Sequence, residues 1–278
     1  MNGLLIADFR RVLKDKLLLI MGILAAVFAI TTPLLYAAIF HGLAAIDDEM
    51  TAAMLSGFTS AKAQFFGSFS MGNNLGLIAP VLLAIALCKD FSYGTVRNKI
   101  IAGKSRQNIF LSLFITCATF LIGIMLLYAF LTLGVSLIFF DYQAEPFTLP
   151  DLWYFLLSLG FEILVLLDVA AMLSWLCAFT KNTGLVVVLY VAIVMILAVG
   201  GSVSQMVNLV PGGSAVNQEF LSVLHFFDRV NVCNSAMFIG TGAEYTATDI
   251  MYLTIAPIAE TLIFLGLGLY KFKRKDLK

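Results

Sequence analysis

Residues 107–140 read QNIFLSLFITCATFLIGIMLLYAFLTLGVSLIFF, a run of 34 residues without one charged side chain. A helix of this length measures roughly 50 Å at about 1.5 Å per residue, whereas the hydrocarbon core of a bilayer is about 30 Å thick. Because backbone polar groups in lipid need internal partners, a helix is the conformation expected here. The run therefore predicts a membrane-spanning helix that tilts, extends beyond the membrane or breaks near Gly134.

The whole chain has the composition of a membrane protein. Of its 278 residues, 61% are hydrophobic and 12% are charged, and its mean hydropathy is +0.98. Soluble domains average roughly 45–50% apolar and about 25% charged residues, so a soluble globular protein is excluded. The 17 basic residues are balanced by 17 acidic ones. This balance leaves no cationic excess for binding a nucleic acid.

Six apolar stretches have the length of a membrane-spanning helix. They cover residues 17–40, 72–88, 109–135, 152–179, 183–199 and 250–270. Fifteen of the Lys and Arg residues fall on the side of the membrane that holds both termini, and only Lys62 and Arg229 fall on the other. Because basic loops stay in the cytoplasm, both termini are predicted to be cytoplasmic. We expect one multi-pass transmembrane domain over residues 1–278, located in the cell membrane.

Two further segments are predicted to hold helices that do not cross the membrane. In residues 1–16 apolar side chains recur at helical spacing from Leu5 to Leu13, which predicts an amphipathic helix in the cytoplasmic interface. A helical basic flank of the first span is the alternative. The outer segment, residues 200–249, contains a semi-apolar run at 220–227. This segment indicates helices that dip into or lie on the outer membrane face.

The connection between the second and third spans, residues 89–108, reads KDFSYGTVRNKIIAGKSRQN. Its Gly103-Lys104-Ser105 looks like the end of a phosphate-binding loop, but Asn98 stands where that motif has its first glycine. The motif also belongs between a strand and a helix of a nucleotide-binding domain, whereas the residues that follow here enter the membrane. We therefore expect that this chain does not bind ATP.

The same connection resembles the cytoplasmic loop of ABC-2 type transporter permeases. In that family an acidic residue precedes Gly-Thr, and a small turn residue precedes Ser/Thr-Arg at the next span. Asp90, Gly94-Thr95, Gly103 and Ser105-Arg106 occupy these positions, while Lys104 stands where the family often has proline. The layout of the whole chain is also similar to that of the family.

The resemblance implies an all-α membrane fold with six transmembrane helices and an N-terminal interfacial helix. It further implies a cytoplasmic coupling helix between spans 2 and 3, and re-entrant or interfacial helices between spans 5 and 6. The chain would be the non-catalytic permease subunit of an ATP-binding cassette exporter. Such a subunit moves a hydrophobic or amphipathic substrate outward, for example an antimicrobial or cytolytic peptide or a drug.

The resemblance also implies the partners of such a subunit. Separate ATPase subunits would bind ATP and Mg²⁺, and a second permease copy or a paralogue would complete the path through the membrane. For the chain itself we expect contact with membrane lipid, and no bound cofactor, metal or nucleic acid.

A short basic loop can dock as a rigid body in a groove of a cytoplasmic partner. Arg97 and Arg106 would offer planar guanidinium groups to carboxylates, and Phe91 and Tyr93 would fill an apolar cleft. The residues predicted to couple the chain to the ATPase are Asp90, Phe91, Tyr93, Gly94, Thr95, Arg97, Gly103 and Arg106. A loop whose charges serve only to orient the chain in the membrane is the alternative.

Three acidic residues lie inside the predicted spans, Glu162 and Asp168 in the fourth and Glu260 in the sixth. An acid in the membrane costs roughly 2.5–3.5 kcal/mol and therefore faces the bundle interior, a polar path or a partner. Glu162 and Asp168 are about 120° apart around a helix and share no face, so they form no catalytic dyad. The three acids either line a pathway or form hydrogen bonds between helices. As carriers of protons or cations they would make the chain an ion-coupled secondary transporter or channel, which is the alternative function.

Overall fold

A computed structural model describes residues 2–43, 60–70, 74–140, 148–180, 182–209, 218–242 and 244–274. These residues form eleven helices and no strand. The helices are α1 (Asn2–Leu13), α2 (Lys16–Leu43), α3 (Ala61–Gly67), α4 (Asn74–Ser92), α5 (Thr95–Ile101), α6 (Arg106–Phe139), α7 (Leu149–Phe179), α8 (Thr183–Leu209), α9 (Gln218–Val230), α10 (Val232–Gly240) and α11 (Ala247–Arg274). By length and composition, α2, α4, α6, α7, α8 and α11 can cross a membrane. The predicted all-helical fold with six candidate spans is confirmed.

Helix α6 contains most of the uncharged run and is continuous over its 34 residues. It therefore has no break at Gly134, because one glycine in a helix costs only about 1 kcal/mol. Buried residues follow one another along the helix from Ile109 to Ser136, so packing supports it over its whole length. At roughly 50 Å it is longer than a bilayer core is thick, so of the three predicted outcomes tilting and extension beyond the membrane remain.

Helices α6 and α7 form the centre of the bundle. They bury most of their residues inside the protein, whereas α2, α8 and α11 bury less than a quarter of theirs. Among the described helices, α7 and α11 form the most extensive contact, and α6 packs against both α2 and α7. The outward faces of α2, α8 and α11 carry large exposed apolar side chains, among them Leu19, Ile196 and Leu262. Such faces suit contact with lipid.

Two of the short helices lie between the fifth and sixth candidate spans. Helix α9 exposes Val223 and Phe226, while α10 buries Cys233 and Ala236 against its neighbours. Both helices pack against α8 and α11, and α10 also packs against α7 and α3. The sequence therefore predicted correctly that this segment contains helices. Residues 210–217 and 243 of the predicted outer segment lie outside the described residues.

Helix α1 forms within the segment 1–16, where an interfacial helix was predicted. It buries Leu4, Asp8 and Val12 and packs against α6, while Ile6 and Leu13 are exposed. Its polar Asp8 thus faces the protein and not the solvent. The helix is in consequence a packed part of the bundle.

Candidate functional site

The eight predicted coupling residues lie at one end of the bundle, which we call the basic face. This face is formed by α1, the start of α2, the end of α4, α5, the start of α6 and the end of α11. Helix α5 is joined to α4 through Gly94 and to α6 through Gly103, whose φ angles are 69° and 78°. Such left-handed conformations strain every residue type except glycine. The Ser105 hydroxyl then caps α6 by accepting a hydrogen bond from the Asn108 N–H at 3.3 Å.

The inner side of α5 is sealed by an apolar cluster. Val96 is only 3% exposed, and the buried members of its cluster are Leu4, Ile109, Phe110, Ala178 and Phe272. The half-buried Phe91 ring stands edge-on to Phe272, with their centroids 6.1 Å apart. Phe91 therefore packs partly against the chain itself, whereas Tyr93, the other aromatic residue predicted to enter a partner's cleft, is 77% exposed.

Asp90 is the centre of an ion network that joins α1, α4, α5 and α6. Its side chain has no exposed surface and pairs with Arg11 and with Lys99, whose Nζ lies 3.2 Å from Oδ2. Lys99 also donates to Oδ1 of Asp8 at 2.6 Å, and the Ser112 hydroxyl donates to Oδ2 of Asp8 at 2.6 Å. Because Asp90 is buried, any part it plays in coupling is indirect and runs through these ion pairs. Its carboxylate holds the corner between α4 and α5 against α1.

A second link between α1 and α4 is the ion pair of Asp15 with Lys89, whose Nζ lies 2.7 Å from Oδ2. Partial burial disfavours the charged carboxylate, but hydrogen bonds from Lys89 and from the Leu17 N–H outweigh it and lower the pKa of Asp15. Burial lowers the pKa of Lys99 and of Arg11, and in both cases the nearby carboxylate of Asp8 opposes the shift. The attraction of Asp8 thus compensates part of the free-energy cost of burying each of these two cations.

The remaining predicted coupling residues differ in how far they reach the surface. Tyr93, Arg97 and Gly103 are exposed, whereas Gly94 and Thr95 are half-buried. Arg106 is half-buried as well, and its Nη1 donates to the carbonyl oxygen of Lys273 at 3.0 Å. Among the predicted coupling residues, Tyr93 and Arg97 are therefore the ones whose side chains are exposed to a partner.

Sequence analysis did not identify four members of the network, namely Asp8, Arg11, Lys99 and Ser112. A signal was present, since Asp8, Arg11 and Asp15 recur on one face of an amphipathic helix at spacings of three and four residues. Acids and a base on one helix face predict that this face packs against a surface that carries both signs of charge. The corner between α4 and α5 is such a surface, because it carries Asp90, Lys89 and Lys99.

The three membrane acids occupy two separate places. Glu162 is 2% exposed, and neither of its carboxyl oxygens has a hydrogen-bond partner among the described residues. Asp168, on α7, is 1% exposed, and its carboxyl group lies beside the half-buried carboxyl of Glu260 on α11. Two such carboxyl groups can share a hydrogen bond only when one of them holds a proton.

The pairing of Asp168 with Glu260 was not predicted. Helices α7 and α11 are the fourth and sixth candidate spans and so run in the same direction. Asp168 lies eleven residues before the end of α7, and Glu260 lies fourteen residues before the end of α11. Counting from these ends places the two acids at similar depth, which is the signal that could have revealed the pair.

Residues 34–278 match the model of a family described as "Protein of unknown function (DUF2705)". The match covers the greater part of the chain, and the chain belongs to this family. No curated protein matches the sequence.

Proposed function

We propose that this family member is the permease subunit of an ATP-binding cassette exporter, with ATP hydrolysis in a separate subunit. The observation that carries the proposal is the position of α5. This helix presents Arg97 to the solvent, with Tyr93 just before it, while its inner side is locked to the bundle through Val96 and Lys99. A partner that bound the outer side would move a rigid corner and not a loose loop.

The connections of α5 leave little slack. Only residues 93–94 separate it from α4, and only residues 102–105 separate it from α6. Lys99 ties it to Asp8 of α1, and Val96 packs with Phe272 of α11. A displacement of α5 is therefore transmitted to four helices at once, as in rigid-body switching. This is the mechanical requirement for a helix that couples ATP hydrolysis to membrane helices.

The chemistry of the exposed side chains defines the expected partner. Arg97 offers a planar guanidinium group to carboxylates, and Tyr93 offers an aromatic ring to an apolar cleft. The matching surface on the ATPase is a groove with acidic residues at its rim. The ATPase subunits would bind ATP and Mg²⁺, and this chain would bind neither.

A second permease copy or a paralogue would complete the transport path. In a symmetric pair the same surface of both copies forms the interface. The exposed apolar faces of α2, α8 and α11 suit either lipid or such a copy. A substrate that passes between apolar faces is hydrophobic or amphipathic, which fits an exported peptide or drug. In this arrangement both termini lie in the cytoplasm, and α9 and α10 serve as interfacial or re-entrant helices on the outer side of the cell membrane.

Copurification tests the proposal. The tagged chain, expressed in its native host and purified in mild detergent, should retain an ATPase subunit in stoichiometric amount. Arg97→Ala and Tyr93→Ala should each weaken the complex by about 2 kcal/mol, or roughly thirtyfold, as expected for a residue central to an interface. The matched control is Arg10→Ala, because Arg10 is an exposed arginine on α1 of the same face. A wild-type chain that purifies alone, or an equal effect of Arg10→Ala and Arg97→Ala, would refute the proposal.

The Asp168–Glu260 pair favours a second candidate, an ion-coupled secondary transporter or channel. Paired carboxyl groups inside a bundle can carry a proton or a cation along a pathway, and Glu162 would extend it. In proteoliposomes without any ATPase, the chain should then conduct protons or cations. Asp168→Asn and Glu260→Gln should abolish that flux, while Glu244→Gln, which changes an exposed acid outside the membrane helices, should not. Absence of flux in the wild-type chain would rule this candidate out.

A further inference from the structure

A cavity of about 550 Å³ opens at the basic face between α1, the start of α2 and the end of α4. Its size lies within the range of small-molecule binding sites, roughly 300–1,000 Å³. The charged residues that line it are four cations, Arg11, Lys14, Lys16 and Lys89, and two acids, Asp15 and Asp90. The lining thus carries two more positive than negative charges.

We propose that this cavity binds the phosphate headgroup of an anionic phospholipid. Both of its acids are already neutralised, since Asp90 pairs with Arg11 and Asp15 pairs with Lys89. Lys14 and Lys16 are exposed, and in the described part of the chain no acidic side chain pairs with either of them. These two ammonium groups therefore attract an anion to the cavity.

The position of the cavity selects a lipid over a free phosphate ion. The first candidate span begins at Lys16 and the second ends at Ser92, so the cavity lies at the depth of lipid headgroups. Basic pockets between membrane helices at this depth suit anionic headgroups. Directly after Lys16, the side chains of Leu19 and Ile23 on α2 are 65% and 54% exposed. Acyl chains of a lipid held by its phosphate would lie along this apolar face, whereas a free phosphate would use only the cations.

Tyr93 and Thr95, two of the predicted coupling residues, also line the cavity. Lipid binding nevertheless requires neither an ATPase nor the carboxyl pair in the membrane, so its failure and the failure of the proposed function are distinguishable. Its test therefore uses the full chain alone in mixed micelles. A fluorescent phosphatidylglycerol is the probe, and phosphatidylcholine and inorganic phosphate are the competitors. Phosphatidylglycerol should bind and resist competition by both.

Matched variants assign the binding to the cavity. The double variant Lys14→Gln/Lys16→Gln should bind phosphatidylglycerol about 25-fold more weakly, at roughly fivefold for each lysine near an anionic lipid. Lys14→Arg/Lys16→Arg should retain the binding, because it keeps both charges. The control Lys104→Gln/Lys273→Gln removes two exposed lysines of the basic face that do not line the cavity, and should bind like the wild type.

Three results would overturn the proposal. Equal losses in the two Gln double variants would show that the whole charged face attracts lipid without a defined site. Displacement of the probe by phosphatidylcholine would show that charge does not matter. Displacement by millimolar inorganic phosphate would show a site for the free ion.

Discussion

Replacing Asp90 with alanine should strongly destabilise the corner between α4 and α5. The buried carboxylate of Asp90 forms an ion pair with Arg11 and accepts a hydrogen bond from Lys99, so its removal leaves two cations without their shared acid. Breaking a buried ion pair from one side costs about 3–5 kcal/mol. We expect the lower end, about 3 kcal/mol. Lys99 keeps Asp8 at 2.6 Å, and the Arg11 side chain is 33% exposed, so water can solvate part of it.

The assay is the free energy of unfolding in mild detergent, obtained by titration with a denaturing detergent and followed by circular dichroism. Arg97→Ala is the control, because it removes an exposed charge from the same corner and should change stability by no more than about 0.5 kcal/mol. Asp90→Asn, which keeps the shape but not the charge, should fall between the two. If Asp90→Ala is as stable as Arg97→Ala, the ion network does not hold the corner and the reasoning is refuted.

Substitutions at Gly268, Gly94 and Asp15 test three other contacts or turns of the bundle, and the free energy of unfolding is again the measured quantity. In Gly268→Ala the new methyl group would overlap the fully buried ring of Phe110, so a loss of about 1–3 kcal/mol is expected, while Gly266→Ala meets no atom within 4 Å and should be neutral or stabilising. Gly94→Ala also meets no neighbouring atom, but its φ of +69° should cost about 1–2 kcal/mol, and a neutral effect would contradict the left-handed turn. Because the pKa of Asp15 is lowered in the folded state, its contribution is complete above the ordinary pKa of about 4 and is lost as the pH falls below it. The stability advantage of the wild type over Asp15→Asn should therefore shrink as the pH falls below the ordinary pKa towards the lowered one, and an advantage independent of pH would contradict the ion pair.

The helices could be predicted from the sequence because their signal is local. A run of apolar residues long enough to cross a bilayer needs no knowledge of its neighbours, so all six candidate spans were predictable. Gly94 and Gly103 were predictable as turn positions for the same reason, since the left-handed conformation is a property of single residues. The continuity of α6 was not predictable, because it depends on packing along the whole helix.

The roles of the charged residues could not be predicted because they depend on pairs far apart in the chain. The motif-like spacing placed Asp90 at the corner, but its burial follows from α1 folding back to bring Arg11 within reach. In the same way Asp168 seemed solitary until α11 placed Glu260 beside it. In both cases the residue was singled out from the sequence, but its partner in the chain could be identified only from the packing of the helices.

Helices α7 and α11 connect the two candidate sites. Their ends at the basic face carry Ala178 and Phe272, which pack in the cluster beneath Val96 of α5. Their middle parts carry the carboxyl pair, with Glu260 twelve residues, or about 18 Å, from Phe272. If the packed helix pair moved as a unit, a displacement of α5 would also act on the carboxyl groups, and a change of charge at the carboxyl groups would act on α5. Both candidate functions would therefore use the same helix pair. In the permease its movement would begin at α5, and in the ion-coupled transporter it would begin at the carboxyl groups.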